Sequence, residues 1–166
     1  MADDRAAEAL TGADLDTWAA LATLLEWLPP ALDAPLLRDS GLTHFEYGIL
    51  FALADAPDHS LRMSILAGYA NSSLSRLSRA ASRLETRGWM RRAPDPDDGR
   101  STLAVLTDAG LERWRQATPG HVRTVRALVL DGLTPTQKDQ LRTISRRVMQ
   151  AIRQEPEWHP SARSSP

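Results

Sequence analysis

The sequence predicts a mainly α-helical fold with one small β-hairpin, and three observations carry that expectation. Apolar residues recur at spacings of three and four over most of the 166 residues, the period of helices that bury one face. Helix starts and stops punctuate these stripes, among them Thr43 with Glu46, Gly88 after an Arg-rich run, and Thr134-Pro-Thr-Gln137. Between residues 89 and 107 two short strand-like runs flank the turn-rich Pro96-Asp-Asp-Gly99, which is a hairpin signal resting more on the turn than on the strands.

The elements follow in order. Leu15, Trp18, Ala22 and Leu25 form the face of a first helix, which Pro29-Pro30 should end or kink because proline lacks a backbone donor. A weaker helical segment, Ala31 to Arg38, is broken at Gly41. Thr43 and Glu46 make a capping box for a helix to Asp55, with Leu42 able to staple onto Tyr47. Residues 56–59 stop it, and Ser60 is expected to cap a short helix near Leu61–Gly68. A polar turn, Tyr69 to Ser72, then leads into a longer helix from Ser73 to Arg87, closed by Gly88. After the hairpin, Thr107-Asp108 caps a helix carrying Leu111, Trp114, Val122, Val125 and Val129, with a bend expected near Pro119-Gly120. Thr134, Pro135 and Gln137 start the last helix, whose stripe is Leu141, Ile144, Val148 and Ile152. The order is α1-α2-α3-α4-β-β-α5-α6, between an acidic tail (1–10) and a Pro/Ser-rich tail (156–166). Helices α1, α5 and α6 carry apolar stripes with no sheet of their own to cover, which points to burial against a second copy.

Composition bounds the function. At 42% hydrophobic and 25% charged the chain is neither mainly disordered nor fibrous, and its length fits one domain, or one small domain with extra helices. Without cysteine there is no disulfide framework, thiolate zinc site or cysteine nucleophile. The acidic N-terminus leads into no apolar signal region and no apolar run approaches the ~18 residues of a membrane span, so a cytoplasmic protein is expected. A net charge of −1 argues against nucleic acid on its face, but it hides a segregation. Residues 1–60 hold two basic against eleven acidic residues, whereas residues 61–166 hold eighteen basic against ten acidic.

Between residues 71 and 92 six arginines (76, 79, 83, 87, 91, 92) face one acid, Glu85, for a local charge of +5. Leu74, Leu77, Ala81 and Leu84 form the apolar stripe of that helix, while Ser75, Arg76, Ser78, Arg79, Ser82 and Arg83 fall elsewhere. Two helices joined by a short turn, the second Arg-rich, outline a helix-turn-helix. Short serines allow close approach to phosphate, Arg forks bond phosphate or the guanine edge, and Ser73 sits at a helix N-terminus that favours phosphate. Arg76 and Arg79 are placed for base or phosphate contacts; Arg83 and Arg87 suit phosphate or acidic neighbours. Arg100 stands at the tip of the hairpin, within reach of an adjacent minor groove, with Asp98 close enough to orient it. A solvated Arg-rich face is the alternative for the helix alone.

These residues resemble the MarR-type (multiple-antibiotic-resistance regulator) winged helix-turn-helix transcription factors. The resemblance lies in Gly41-Leu42-Thr43 with Tyr47 and Leu50, Leu61 to Ala67, Ser75 to Arg92, Asp95-Pro-Asp-Asp-Gly-Arg100 and Leu106-Thr-Asp-Ala-Gly110. It spans residues 41–110; the terminal helices match by layout only. It implies a mainly α homodimer with a small β-hairpin wing, in which residues 41–107 bind DNA and residues 11–40 and 108–155 dimerise. Ser73, Ser75, Arg76, Ser78 and Arg79 would face a pseudo-palindromic double-stranded operator, with Arg100, held by Asp98, in the minor groove; Arg83 joins them as a candidate DNA contact. It further implies a nucleoid-associated repressor released by a small aromatic or phenolic effector. Pro29-Pro30 and Ala80-Ala81 depart from the usual pattern.

Trp27, His44 and Tyr47 are the candidate effector contacts, with core or interface packing as the other reading of the aromatics and solvent exposure that of His44. Trp18, Trp89 and Trp114 are expected to be structural. No metal or other cofactor is expected: His44, His59, His121 and His159 are scattered, and Asp95-x-Asp97-x-Gly99 fails the register of a calcium loop. No phosphate loop or nucleophile motif points to an enzyme. A winged-helix protein-interaction module without DNA binding is the rival function.

Overall fold

A computed structural model of the chain describes residues 9–153. The expected acidic tail therefore lies outside the described residues apart from the non-helical residues 9 and 10, and the expected Pro/Ser-rich tail lies wholly outside them. The chain divides into two compact units, one up to Thr124 and one from Val125.

In the first unit, α1 runs Gly12–Ser40 and ends at Gly41 in a left-handed conformation (φ 63°). The helix does not end at Pro29-Pro30; it passes through both and through Pro35. Each proline forgoes one N–H bond, to the carbonyls of Leu25, Glu26 and Ala31 respectively, without ending the helix. Leu32 and Leu36 are buried, while Leu15, Trp18, Leu25 and Trp27 are exposed in the single chain.

Helix α2 (His44–Asp55) starts as expected, with Glu46 N–H donating to Thr43 Oγ1 (3.1 Å) and Thr43 N–H to Glu46 Oε2 (3.0 Å). Ser60, however, caps no helix. It opens a strand, β1 (Ser60–Arg62), and α3 (Met63–Tyr69) begins after it with no side-chain cap. The wing is thus a three-stranded antiparallel sheet of order β1-β3-β2, with β2 at Met90–Pro94 and β3 at Thr102–Leu106. Ser60 pairs with Val105 and Arg62 with Leu103, while Met90 pairs with Leu106 and Pro94 with Thr102.

Helix α4 (Leu74–Thr86) is capped by Ser73, whose Oγ accepts the Arg76 N–H (3.2 Å). It closes in a Schellman arrangement, Gly88 N–H to Glu85 O (2.8 Å) and Trp89 N–H to Leu84 O (2.9 Å), which needs the positive φ (71°) that Gly88 adopts. Leu77, Ala80, Ala81 and Leu84 are fully buried against Leu50, Leu53 and Leu66 in one core. Leu74, expected on that stripe, is instead 58% exposed, because the stripe tilts out of the core at the helix's first turn.

Helix α5 (Asp108–Val125) packs its start on the turn after α4. Thr107 Oγ1 donates to Gly88 O (2.7 Å) and accepts from Gly110 N–H (3.0 Å). A Cβ at Gly110 would lie 1.9 Å from the Trp89 carbonyl oxygen, so the Leu-Thr-Asp-Ala-Gly run ends in glycine to admit that backbone. Pro119 lies inside α5, which runs unbroken from Asp108 to Val125. The second unit opens with a π-helical turn, Arg126–Leu130, and continues as α6 (Pro135–Arg153), started by the expected Thr134–Gln137 box. Leu141, Ile144, Val148 and Ile152 are exposed within it.

Candidate nucleic-acid interface

Helices α3 and α4 with their short turn form a helix-turn-helix, and the β2–β3 hairpin stands beside it as a wing. The structure sorts the arginines that the sequence could only count. Arg83 Nε donates to Glu46 Oε1 at 2.7 Å, and that glutamate is 3% exposed. Arg87 Nη1 bonds the Gly41 carbonyl and its guanidinium lies 5.0 Å over the Trp89 ring. Arg92 bonds Ser78 O (3.2 Å) and Ser82 Oγ (2.5 Å) and pairs with Glu85 (3.0 Å). Arg76 stacks 4.4 Å over Phe45 of α2. Among the described residues the guanidinium groups of Arg79, Arg91 and Arg100 have no hydrogen bond, ion pair or ring contact.

At the head of α4, Ser73 and Ser75 are exposed with their hydroxyls 3.0 Å apart, and Ser78 is half-buried. No acidic residue occupies the first turn, so the helix's positive end is uncompensated.

The wing turn is held by aspartates. Asp98 accepts the Ser101 hydroxyl (2.8 Å) and the Arg100 N–H (3.1 Å), and these bonds hold its carboxyl below the usual carboxylate range. Asp98 therefore orients Arg100 through its backbone, leaving the guanidinium unengaged. Asp95 is buried; it accepts the Asp97 N–H (3.0 Å) and the Arg62 Nε–H (2.6 Å), and both lower its pKa. This link from β1 to the wing escaped sequence reasoning, because its partners stand 33 residues apart with no local pattern to join them.

Of the effector candidates, His44 and Tyr47 come together and Trp27 does not join them. The Tyr47 and His121 rings lie 4.3 Å apart and those of His44 and His121 5.3 Å apart, with Tyr47 Oη 3.1 Å from Thr118 Oγ1. His44 N–H donates to Asp33 Oδ1 (2.5 Å). Burial pushes the pKa of both histidines down; His44 adds to this at His121, while Asp33 opposes it at His44. His121 Nδ1 is buried without a hydrogen-bond partner. Trp27, 75% exposed, borders a shallow concavity on α1 with Trp18. His121 stood in the sequence as one more scattered histidine; only its packing against Tyr47 marks it. Among the described residues no group of three or more His, Asp or Glu could hold a metal ion, and no helix is long and apolar enough to cross a membrane.

A helix-turn-helix with a flanking sheet and a hydroxyl- and Arg-lined reading helix defines a winged-helix DNA-binding protein. The MarR family model matches residues 42–102. Over 119 residues the chain is 30% identical to the transcriptional repressor MprA of Escherichia coli K12, covering 72% of this chain and 67% of MprA. Among solved structures it resembles Sco3205, a MarR family regulator from Streptomyces coelicolor crystallised with DNA, at 42% identity and a TM-score of 0.85, covering 93% of this chain and 92% of that one. AbsC from the same organism is 32% identical with a TM-score of 0.84, covering 89% and 99%. The chain belongs to the MarR family of transcriptional regulators. These are non-enzymatic, homodimeric DNA-binding proteins, and the expected fold, homodimer and DNA partner stand on that membership.

Proposed function

We propose that a dimer of this chain represses transcription at a pseudo-palindromic operator in the cytoplasm, where it is nucleoid-associated. Ser73, Ser75, Arg76, Ser78 and Arg79 of each α4 meet a major groove and Arg100 an adjacent minor groove. Arg83 and Asp98 hold the helix and the wing tip in place. The observation that carries this reading is the partition of the arginines: Arg79 and Arg100 have no partner in the described chain, while Arg83 and Arg92 are consumed in holding α4 to α2 and to the wing. Residues 11–40 and 108–155 form the dimerisation region, supported by the exposed apolar side chains Leu15, Trp18 and Leu25 of α1 and Ile144 and Ile152 of α6. A small aromatic effector seated at His44 and Tyr47 releases the DNA, a reading supported by the clustered rings and the unpaired His121 Nδ1.

Selection of a duplex from random DNA, followed by anisotropy titrations at several salt concentrations, tests the proposal. Affinity should fall with a log–log slope of about −0.9 per phosphate contact. Arg79→Ala and Arg100→Ala should each weaken binding about tenfold or more. Unchanged binding by both variants overturns the site, and failure to select any duplex favours the protein-interaction module. Small aromatic acids should raise the melting temperature and loosen the complex; no response to any of them removes the effector branch.

A further inference from the structure

Leu74 is the one apolar side chain of α4 that the fold leaves exposed. It is the first residue of the helix and 58% exposed, although Leu77, Ala81 and Leu84, which share its stripe, are fully buried. The cap is supplied by Ser73, so Leu74 has no capping role. Its neighbours one and two turns on, Ser78 and Ser82, are closed over by Arg92, which bonds the Ser78 carbonyl and the Ser82 hydroxyl. Leu74 is thus the open end of that row, flanked by Ser73 and Ser75 on a turn that carries no acid.

The N-terminal residues of a recognition helix are those that reach base edges. In the major groove the base pairs present donors, acceptors and one apolar group, the C5 methyl of thymine. An exposed leucine there has one complementary partner. We propose that Leu74 is a specificity-determining residue that packs on a thymine methyl in each half-site, so that the operator carries a T·A pair at that position. The proposal rests on α4 being the reading helix; it adds which base type the helix selects and by which side chain. Cytosine is disfavoured because it lacks the methyl and sets an amino donor against the apolar side chain.

The test uses a duplex selected by the full-length protein from random DNA and resynthesised with uracil replacing thymine, one symmetry-related pair of positions at a time. Uracil removes only the methyl and keeps the pairing. In anisotropy titrations at fixed salt, one such pair should weaken wild-type binding by about fourfold per half-site, the factor carried by one buried methyl. Leu74→Ala should bind the thymine and uracil duplexes alike, with an unchanged salt slope and melting temperature. Leu74→Met, which keeps an apolar side chain of similar reach, should retain the preference for thymine. If the wild type binds the selected duplex but Leu74→Ala erases no thymine-to-uracil loss at any position, the proposal is overturned and α4 still reads DNA. If no duplex is selected at all, the reading helix itself is wrong and the proposal falls with it.

Discussion

Replacing Arg83 by alanine separates a brace from a contact to DNA. Its Nε bonds one oxygen of Glu46 at 2.7 Å, the other oxygen accepts Thr43 N–H, and the carboxylate is 3% exposed. Arg83→Ala leaves the first oxygen buried and without its donor, a cost of about 1–3 kcal/mol or more for a charged acceptor. Because Arg83 is itself 54% exposed, its removal opens a path for water, which holds the loss to about 2 kcal/mol. At roughly 3 °C per kcal/mol for a chain of this size, the melting temperature should fall by about 6 °C. Arg79→Ala, which removes an unpartnered guanidinium, should shift melting by no more than about 1–2 °C while weakening operator binding. Circular-dichroism melts at one protein concentration, paired with anisotropy titrations, provide both readings. In a double-mutant cycle, Glu46→Gln with Arg83→Ala should be about as stable as Glu46→Gln alone, because the buried charge has gone with its partner. An Arg83→Ala protein that melts like wild type but loses as much affinity as Arg79→Ala would refute the brace and make Arg83 a phosphate contact.

Gly110→Ala drives a methyl to 1.9 Å from the Trp89 carbonyl oxygen, a backbone atom that cannot rotate away, so it should cost at least about 1–3 kcal/mol, seen as a melting temperature lower by several degrees or loss of folded protein; a melt matching wild type contradicts the close approach. His44 and His121 have folded pKa values below their ordinary 6.5, so between the folded and unfolded values the unfolded chain binds more protons, and stability, full above pH 6.5, declines as pH falls below it. Melting at pH 5.5 should therefore precede melting at pH 7.5, and His121→Phe, which keeps a ring against Tyr47 but cannot titrate, should narrow that gap; an equal gap in both proteins removes His121 from the explanation. Arg62→Ala removes the β1 tie to Asp95 and should speed amide exchange at Arg100 and Ser101 while weakening operator binding by about threefold to tenfold, an estimate set by the loss of one charge-assisted bond; unaltered exchange shows that the turn holds itself.

What the sequence made legible was local. The Thr43–Glu46 and Thr134–Gln137 boxes, the Gly88 stop and the hairpin turn each need only residues within a few positions, and each formed as expected. Strand β1 was invisible because three half-buried residues show no alternation and their pairing partner begins at Leu103. At Pro29-Pro30 the proline pair alone does not fix where the helix ends, since three prolines lie inside it. The ring cluster of His44, Tyr47 and His121 depends on α2 meeting α5, which no periodicity announces.

Charge shows the same division between count and arrangement. Six arginines against Glu85 give +5 between residues 71 and 92, yet Glu46, from the acidic first third of the chain, neutralises Arg83 and lowers the effective figure to +4. The acidic segment is therefore part of the DNA-binding region's construction as well as its electrostatic counterweight. Arg92 pairs with the Glu85 already counted in that sum, so +4 remains on this segment, and a whole-chain charge of −1 adds nothing to it at longer range. Long-range attraction scales with such net charge, whereas docking scales with the few groups that fit. Arg79, Arg100 and the apolar tip at Leu74 must then supply most of the discrimination. That predicts a regulator with weak attraction to unrelated DNA and a large difference between it and the operator, measurable in one titration series on both duplexes.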